Sequence, residues 1–296
     1  MPVIEDDVIL ALDQVVLATD FSPSAVKATE YAEGLAKRFS SKLALAHVVD
    51  LSLATRADGA VVGFPLDALR KDGRENLDRL QYNLDADGVK VSSSMLEAHL
   101  PAAAIVEYAE GVKADLIVTG TNARQGLSKA ILGSCAEGII RHARCPVLTV
   151  GPQARVAPTG PLSFRTVLFG TDFSREAVQQ ARLALRFAQD SYAKLYLCHV
   201  LEKRAGVMDL LGDELRFQAE LSRLVPQSAY DWCSREYVVE SGTAAPHILQ
   251  LAKRIDADLI VLGSKHSATW LTHLVEGTVG HVLRDAQCPV LTMHDL

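Results

Sequence analysis

ADLIVTGTNARQGLSKAILGSCAEGIIRHARCPVLTVG, residues 114–151, is the stretch whose reading decides the fold. Leu116-Ile117-Val118 is an apolar run too short for a helix and closed by Gly120, which predicts a buried strand. A polar loop, Thr121-Asn122-Ala123-Arg124-Gln125-Gly126, follows. Gly133-Ser134 then precedes a helical pattern with Ala136, Ile139, Ile140 and Ala143 on one face. Ser134 is the expected N-cap, and Glu137 completes a Ser-x-x-Glu capping box. Cys145-Pro146 ends the helix, and residues 147–150 read as the next strand. A strand, a glycine loop and a helix start together make a place for an anion. Unpaired backbone N–H groups and the positive end of the helix dipole both point there.

Outward from this stretch the chain repeats itself. VVLATDFSPSAV (15–26) returns as VLFGTDFSREAV (167–178), and KLALAHVVD (42–50) as KLYLCHVLE (194–202), both at the same offset (171 − 19 = 152; 199 − 47 = 152). ADLIVTG (114–120) returns as ADLIVLG (257–263) and RHARCPVLTV (141–150) as RDAQCPVLTM (284–293), at a smaller offset (258 − 115 = 143). The second copy is therefore nine residues shorter (152 − 143), a difference expected between its second strand and Glu240. The Pro- and Gly-rich GPQARVAPTGPLS reads as a linker over 151–163 between domains at 1–150 and 164–296.

Within the first copy the patterning predicts strands at 15–20, 43–49, 91–96, 116–120 and 147–150, and helices at 23–39, 67–84, 101–112 and 134–143. In the first helix Val26, Tyr31, Ala32, Leu35 and Phe39 form the expected buried face. Apolar strands alternating with helices specify an α/β fold, with a mostly parallel sheet covered on both faces. Ligands of such sheets bind beyond the carboxyl ends of the strands where strand order reverses. With order 3-2-1-4-5, Asp20 and Gly120 line one crevice; periodicity alone does not choose that order.

Composition narrows the class. Of 296 residues, 49% are apolar and 22% charged, ordinary for a globular chain of about two domains, and the net charge of −6 argues against a nucleic-acid surface. The acidic start MPVIEDDVILALDQ is unlike a signal peptide, and no apolar run is long enough for a membrane span. Five cysteines without zinc or CxxC spacing fit a reduced, cytoplasmic chain.

TDFS in strand one, His-Val at the end of strand two, ADLIV(T/L)G, the Gly133-Ser134 helix start and Cys-Pro-Val-Leu recur in order in both copies. In this the chain resembles a tandem universal stress protein with two fused UspA-type domains. The resemblance implies a five-stranded doubly wound sheet of order 3-2-1-4-5 per domain. It also implies, for some members, an ATP or AMP pocket marked G-x2-G-x9-G-(S/T), with or without Mg. The first copy reads Gly120-x2-Ala123-x9-Gly133-Ser134, departing at one position. By that pattern Asp20 faces the ribose side and backbone near Val48 reads adenine, with Thr19 counted among the nucleotide-binding residues. The loop from Gly120, with Asn122 and Ala123, and the amides at Gly133-Ser134 hold the phosphates by that pattern, and Cys135 completes the nucleotide-binding set. Alanine at position 123 costs about 1–2 kcal/mol if the loop needs a positive φ there.

In the second copy, with Asp172, Val200 and Gly263 as counterparts, the ungapped pattern reads Gly263-x2-His266-x9-Glu276-Gly277. A gap restores Gly277-Thr278 as the pair but rotates the helix by about 100°. The ungapped register keeps Val282-Leu283 on the face of Ile139-Ile140, placing Glu276 at the phosphate glycine. A degenerate pocket without ATP is the expectation there.

His266, His273 and His281 with Glu276 and Trp270 match no metal spacing, and a solvated loop is the expected reading. His47 and His199 read as packed structural histidines, and Cys135 as a buried small side chain rather than a redox sensor. No P-loop and no paired acid/base constellation is present, so the chain reads as a nucleotide-binding stress-response regulator rather than an enzyme. Slow ATP hydrolysis and a nucleotide-free interaction scaffold stand as alternatives. The apolar fifth strands are expected to pair with each other inside one chain. The apolar segment 51–66 reads either as a flap over the pocket or as part of a dimer surface, and together with the dimerisation that the resemblance implies it makes a homodimer the expectation, with no nucleic acid or membrane partner.

Overall fold

A computed structural model describes residues 10–54, 66–121, 133–174, 177–201, 210–263 and 277–293. These divide into two compact units. One holds Ala11–Pro152 with Val156–Leu162; the other holds Ser163 onward with Gln153–Arg155 and Leu10.

The first domain runs β1 (Gln14–Ala18), α1 (Pro23–Phe39), β2 (Lys42–Asp50), α2 (Leu66–Ala86), β3 (Lys90–Ala98), α3 (Pro101–Gly111), β4 (Leu116–Gly120), α4 (Ser134–His142) and β5 (Val147–Val150). Its strands are parallel in the order β3-β2-β1-β4-β5. The second repeats this with β6 (Thr166–Gly170), α5 (Ala177–Asp190), β7 (Lys194–Leu201), α6 (Leu210–Ser222), β8 (Ser234–Ser241), α7 (Ala244–Arg254), β9 (Leu259–Gly263), α8 (Thr278–Asp285) and β10 (Val290–Met293). Its order, β8-β7-β6-β9-β10, is the same. Val15, Val16, Leu17, Leu116, Ile117 and Val118 are fully buried, as expected of central strands covered by helices on both faces. Helix α1 starts at Pro23 behind the Ser22 cap and stops at Ser40, whose φ of 57° breaks the helix, with Lys37 and Arg38 in the last turn favouring the negative dipole end.

Several expectations need correction. The face of α1 is set by Ala25, Ala28, Ala32, Leu35 and Ala36 around Tyr31, and Val26 is exposed, because the run from Val26 to Tyr31 skips the helical period. β1 ends at Ala18 rather than at Asp20, because side-chain hydrogen bonds take over the backbone from Thr19 onward. The nine-residue shortening is divided. Strand pairing aligns Met95 with Val239 (239 − 95 = 144), so eight residues are lost before β8. The ninth is lost in the turn before α7, where Gly242 takes a φ of +148°. Residues 151–163, read as the linker, make hydrogen bonds of their own. Leu162 donates its N–H to the Gly34 carbonyl (2.9 Å), while Arg155 donates to Asp256 (2.7 Å) and the Ala257 carbonyl (2.7 Å).

Candidate functional site

In the first domain the carboxyl ends of β1, β2 and β4 are neighbours in the sheet, and the start of α4 is tied to the end of β4. The turn after β1 is built by its own side chains: Phe21 N–H donates to Thr19 Oγ1 (3.1 Å) and Ser22 N–H to Asp20 Oδ1 (3.0 Å). This bends Phe21 to a φ of 59° and lays its ring against His47, centroids 4.7 Å apart. His47 in turn donates from Nδ1 to the Thr19 carbonyl (2.9 Å), which fixes its tautomer and makes it a positioning group.

These contacts leave one backbone edge open. Thr19 N–H donates to the Ala46 carbonyl (3.0 Å), so Ala46 presents its polar groups toward β1, and by the two-residue strand period Val48 does too. The groups that would have paired with Val48 are taken: the Thr19 carbonyl by His47, the Phe21 N–H by the Thr19 hydroxyl. Among the described residues, the Val48 N–H and C=O therefore face the crevice without a partner. An adjacent donor and acceptor are what the Watson–Crick edge of adenine, an acceptor N1 beside a donor amino group, can use.

At the other end, Thr121, immediately after β4, accepts a hydrogen bond from Gly133 N–H through Oγ1 (3.3 Å) and so draws the start of α4 to the end of β4. Thr121 was not among the residues singled out from sequence; a hydroxyl directly behind the strand-ending glycine was the only signal. The N-cap is Gly133, not Ser134. Ser134 is the first helical residue and is exposed, and no capping box forms because the Glu137 carboxylate pairs with Arg141 one turn on. The amides of Ser134, Cys135 and Ala136 have no intrahelical acceptor and point out of the helix end. The Cys135 thiol is pushed up to about 11, first by burial and then by the Asp20 and Asp50 carboxylates, so it is a protonated thiol at neutral pH. Gly120 has a packing reason for being glycine: a Cβ there would stand 2.6 Å from the Ser24 carbonyl carbon and oxygen. Asn122 and Ala123 lie outside the described residues.

The second domain repeats the base end. Phe173 N–H donates to Thr171 Oγ1 (3.1 Å), Ser174 N–H to Asp172 Oδ1 (2.9 Å), and His199 Nδ1 to the Thr171 carbonyl (2.8 Å), leaving Val200 placed like Val48. It differs on the face of α6. Phe217 stands at the repeat position of Gly73 and stacks on both His199 (4.7 Å) and Phe173 (5.6 Å), where Gly73 offers His47 only a backbone. A Cβ on Gly263 would collide with the Gln180 side chain rather than with a helix backbone. The start of α8 corrects the sequence reading. Val282 and Leu283 keep the ungapped register and are fully buried, yet the helix begins one residue late, so Gly277 is its N-cap and Thr278 its first residue. The Gly-Thr pair is recovered without a gap because α8 loses a residue at its start. His266 and Glu276 lie outside the described residues, as do Trp270 and His273. His281 Nδ1 bonds the Gly277 carbonyl (3.0 Å). No group of three or more metal-ligating side chains occurs among the described residues, and no helix among them is long and apolar enough to cross a membrane.

Comparison with known proteins agrees with this architecture. The family model described as the universal stress protein family matches twice, over residues 12–151 and 163–294. A curated universal stress protein of Methanocaldococcus jannaschii is 38% identical over 145 residues, covering 46% of this chain and 81% of its own. A crystal structure of a universal stress protein from Archaeoglobus fulgidus has a TM-score of 0.74 at 21% identity, covering 95% of this chain and 96% of its own. A putative universal stress protein of Pseudomonas aeruginosa gives a TM-score of 0.62 at 19% identity, covering 96% and 94%. The last two likenesses concern the fold alone.

Proposed function

The chain belongs to the universal stress protein family, and from that premise we propose that its first domain binds an adenine nucleotide, ATP or AMP, as the sensing step of a stress-response regulator. The observation that carries this reading is the unpartnered N–H and C=O of Val48 at the end of β2. Asp20, with Oδ1 held by Ser22, turns its remaining oxygen to a ribose hydroxyl, and the open amides of Ser134, Cys135 and Ala136 take phosphate oxygens. Mg accompanying the nucleotide would be compatible with this reading. Among the described residues of the crevice no acid/base pair is placed to activate water, and the nucleotide is read as a ligand, with slow hydrolysis as the alternative.

Occupancy falls mainly to the first domain. Both domains keep the base edge, but Leu132 precedes the α4 cap where Glu276 precedes the α8 cap. A carboxylate about 4 Å from a phosphate costs about 4 kcal/mol at an effective dielectric near 20, close to a thousandfold in affinity. The regulator acts in the cytoplasm as a homodimer. Isothermal titration is expected to give one ATP per chain, no binding of GTP, and loss of binding in Gly133→Glu. Equal binding of GTP would overturn the base assignment, since guanine presents a donor at N1 and an acceptor at O6. Retention of ATP in Gly133→Glu would move the working site to the second domain.

A further inference from the structure

A cleft of about 250 Å³ opens in the second domain between α7, the turn before β9 and the turn joining α8 to β10. It lies at the amino ends of these strands, the opposite end of the sheet from the crevice beyond β7 and β9. Its deeper lining is apolar, with Ala252, Ala257, Ala286 and Cys288 all buried. Its rim is charged, and the charges there are not equivalent. Arg155 is engaged in the wall itself, donating from its guanidinium to Asp256 (2.7 Å) and the Ala257 carbonyl (2.7 Å). Its backbone N–H on the Gln287 carbonyl (2.9 Å) holds the two turns at a fixed spacing. Asp285 pairs with Arg284 (2.8 Å). In the last turn of α7, Arg254 pairs with Glu240 (3.0 Å), but no carboxylate among the described residues pairs with Lys253. The rim thus sets an uncompensated positive charge above an apolar floor.

The first domain shows the same seam bridged. Lys253 and Gln287 correspond to Glu110 and Arg144 (253 − 110 = 143; 287 − 144 = 143). There Arg144 Nε stands 3.2 Å from Glu110 Oε1, so an ion pair joins the end of α3 to the turn before β5. An exposed pair of this kind adds little stability, but it fills the seam with its own side chains. Lys253 and Gln287 carry no complementary charges, and no bond between them crosses the cleft. The second domain keeps a cation at this seam and lacks the carboxylate.

We propose that this cleft binds a small organic carboxylate with an apolar body, its carboxylate on Lys253 and its body against Ala252, Ala286 and Cys288. A volume of about 250 Å³ falls just below the roughly 300–1,000 Å³ of pockets for drug-sized ligands, which fits a single ring or a short chain. Charge selects the class. A cationic ligand would meet Lys253, and the two rim carboxylates, Asp256 and Asp285, are already held by arginines. The side-chain amides of Gln250 and Gln287, both at the cleft, can donate to the second carboxylate oxygen. Attraction to an exposed lysine is weak by itself, and burial of the apolar body supplies the rest. This site lies at the other end of the strands from the nucleotide crevice and does not rest on that reading.

Amide NMR of the full chain titrated with benzoate tests this. Saturable shifts are expected in residues 249–257 and 285–288, with the neutral isostere benzamide binding about tenfold more weakly. Lys253→Glu should weaken benzoate about tenfold, because attraction becomes repulsion, and Lys253→Arg should retain it. Lys253→Glu with Gln287→Arg rebuilds the ion pair of the first domain and should abolish the shifts. All three changes fall on exposed side chains, so the fold is kept and is read in the same spectra. Shifts that do not saturate by about 20 mM overturn the proposal, as that is weaker than any specific site of this size. So do equal affinities for benzoate and benzamide, or benzoate shifts that persist unchanged in the double variant. Tighter binding of benzylammonium than of benzoate also overturns it, since that would assign the rim to Asp256 and Asp285.

Discussion

The position a Cβ would take on Gly120 lies 2.6 Å from both the carbonyl carbon and the carbonyl oxygen of Ser24. The first turn of α1 thus runs directly against the end of β4, and the glycine that opens the phosphate-loop pattern is needed for that approach. Backbone cannot swing aside as a side chain can, so Gly120→Ala is expected to destabilise the first domain by about 1–3 kcal/mol. Gly263→Ala meets only the Gln180 amide, the far end of a rotatable side chain, and should cost less. Chemical denaturation of the two variants, followed by domain-resolved hydrogen exchange, checks the order.

The two strand-end histidines should also differ. His47→Ala loses the bond to Thr19 and one ring contact, whereas His199→Ala loses the bond to Thr171 and stacking with both Phe173 and Phe217. A hydrogen bond contributes about 1 kcal/mol and an aromatic pair about 0.5–1.5 kcal/mol, so His199→Ala is the more damaging by about the worth of one ring pair. In the first domain the same change frees the Thr19 carbonyl and should weaken ATP binding. Calorimetric melting and titration read the two effects separately.

Alkaline pH should loosen the fold. Burial pushes the thiols of Cys135, Cys145 and Cys233 up to about 11 and those of Cys198 and Cys288 to about 12. A raised folded value means that the native state holds protons which the unfolded chain releases first. Stability is therefore intact below the ordinary thiol value near 9 and falls as pH rises from there toward 11–12. Urea midpoints between pH 8 and 10.5 should fall. For Cys135, alkylation resolved by peptide mass spectrometry should still be rising tenfold per pH unit at pH 9.5. Asp20→Asn, by removing a nearby negative charge, should speed it.

Arg155 closes the turns before β9 and β10. Its backbone N–H donates to the Gln287 carbonyl (2.9 Å) and its guanidinium to Asp256 and the Ala257 carbonyl. Because the Asp256 contact is exposed, most of the loss in Arg155→Ala should come from the bonds to carbonyls, about 1–2 kcal/mol. Faster amide exchange confined to residues 255–259 and 286–289 is the expected signature; Arg155→Lys, lacking the planar fork, should recover only part of it.

Sequence alone determined the duplication, the parallel α/β class and the bounds of most elements, α1 at Pro23–Phe39 and β4 at Leu116–Gly120 among them, because apolar period, capping and glycine or proline breaks are local signals. It pointed to Asp20, Val48 and Gly133-Ser134 as neighbours only through the assumption of strand order. Tertiary structure decided what depended on pairing across the chain. The open edge of Val48 exists because His47 and Thr19 consume the bonds β1 would have supplied, and these residues are 28 positions apart. The packing reason for Gly120, the shift of the α4 cap from Ser134 to Gly133, and the late start of α8 at Thr278 were likewise invisible locally. A helix end is set by what holds it, here the Thr121 hydroxyl reaching Gly133 from another element, and a motif read along one strand of text contains no such contact.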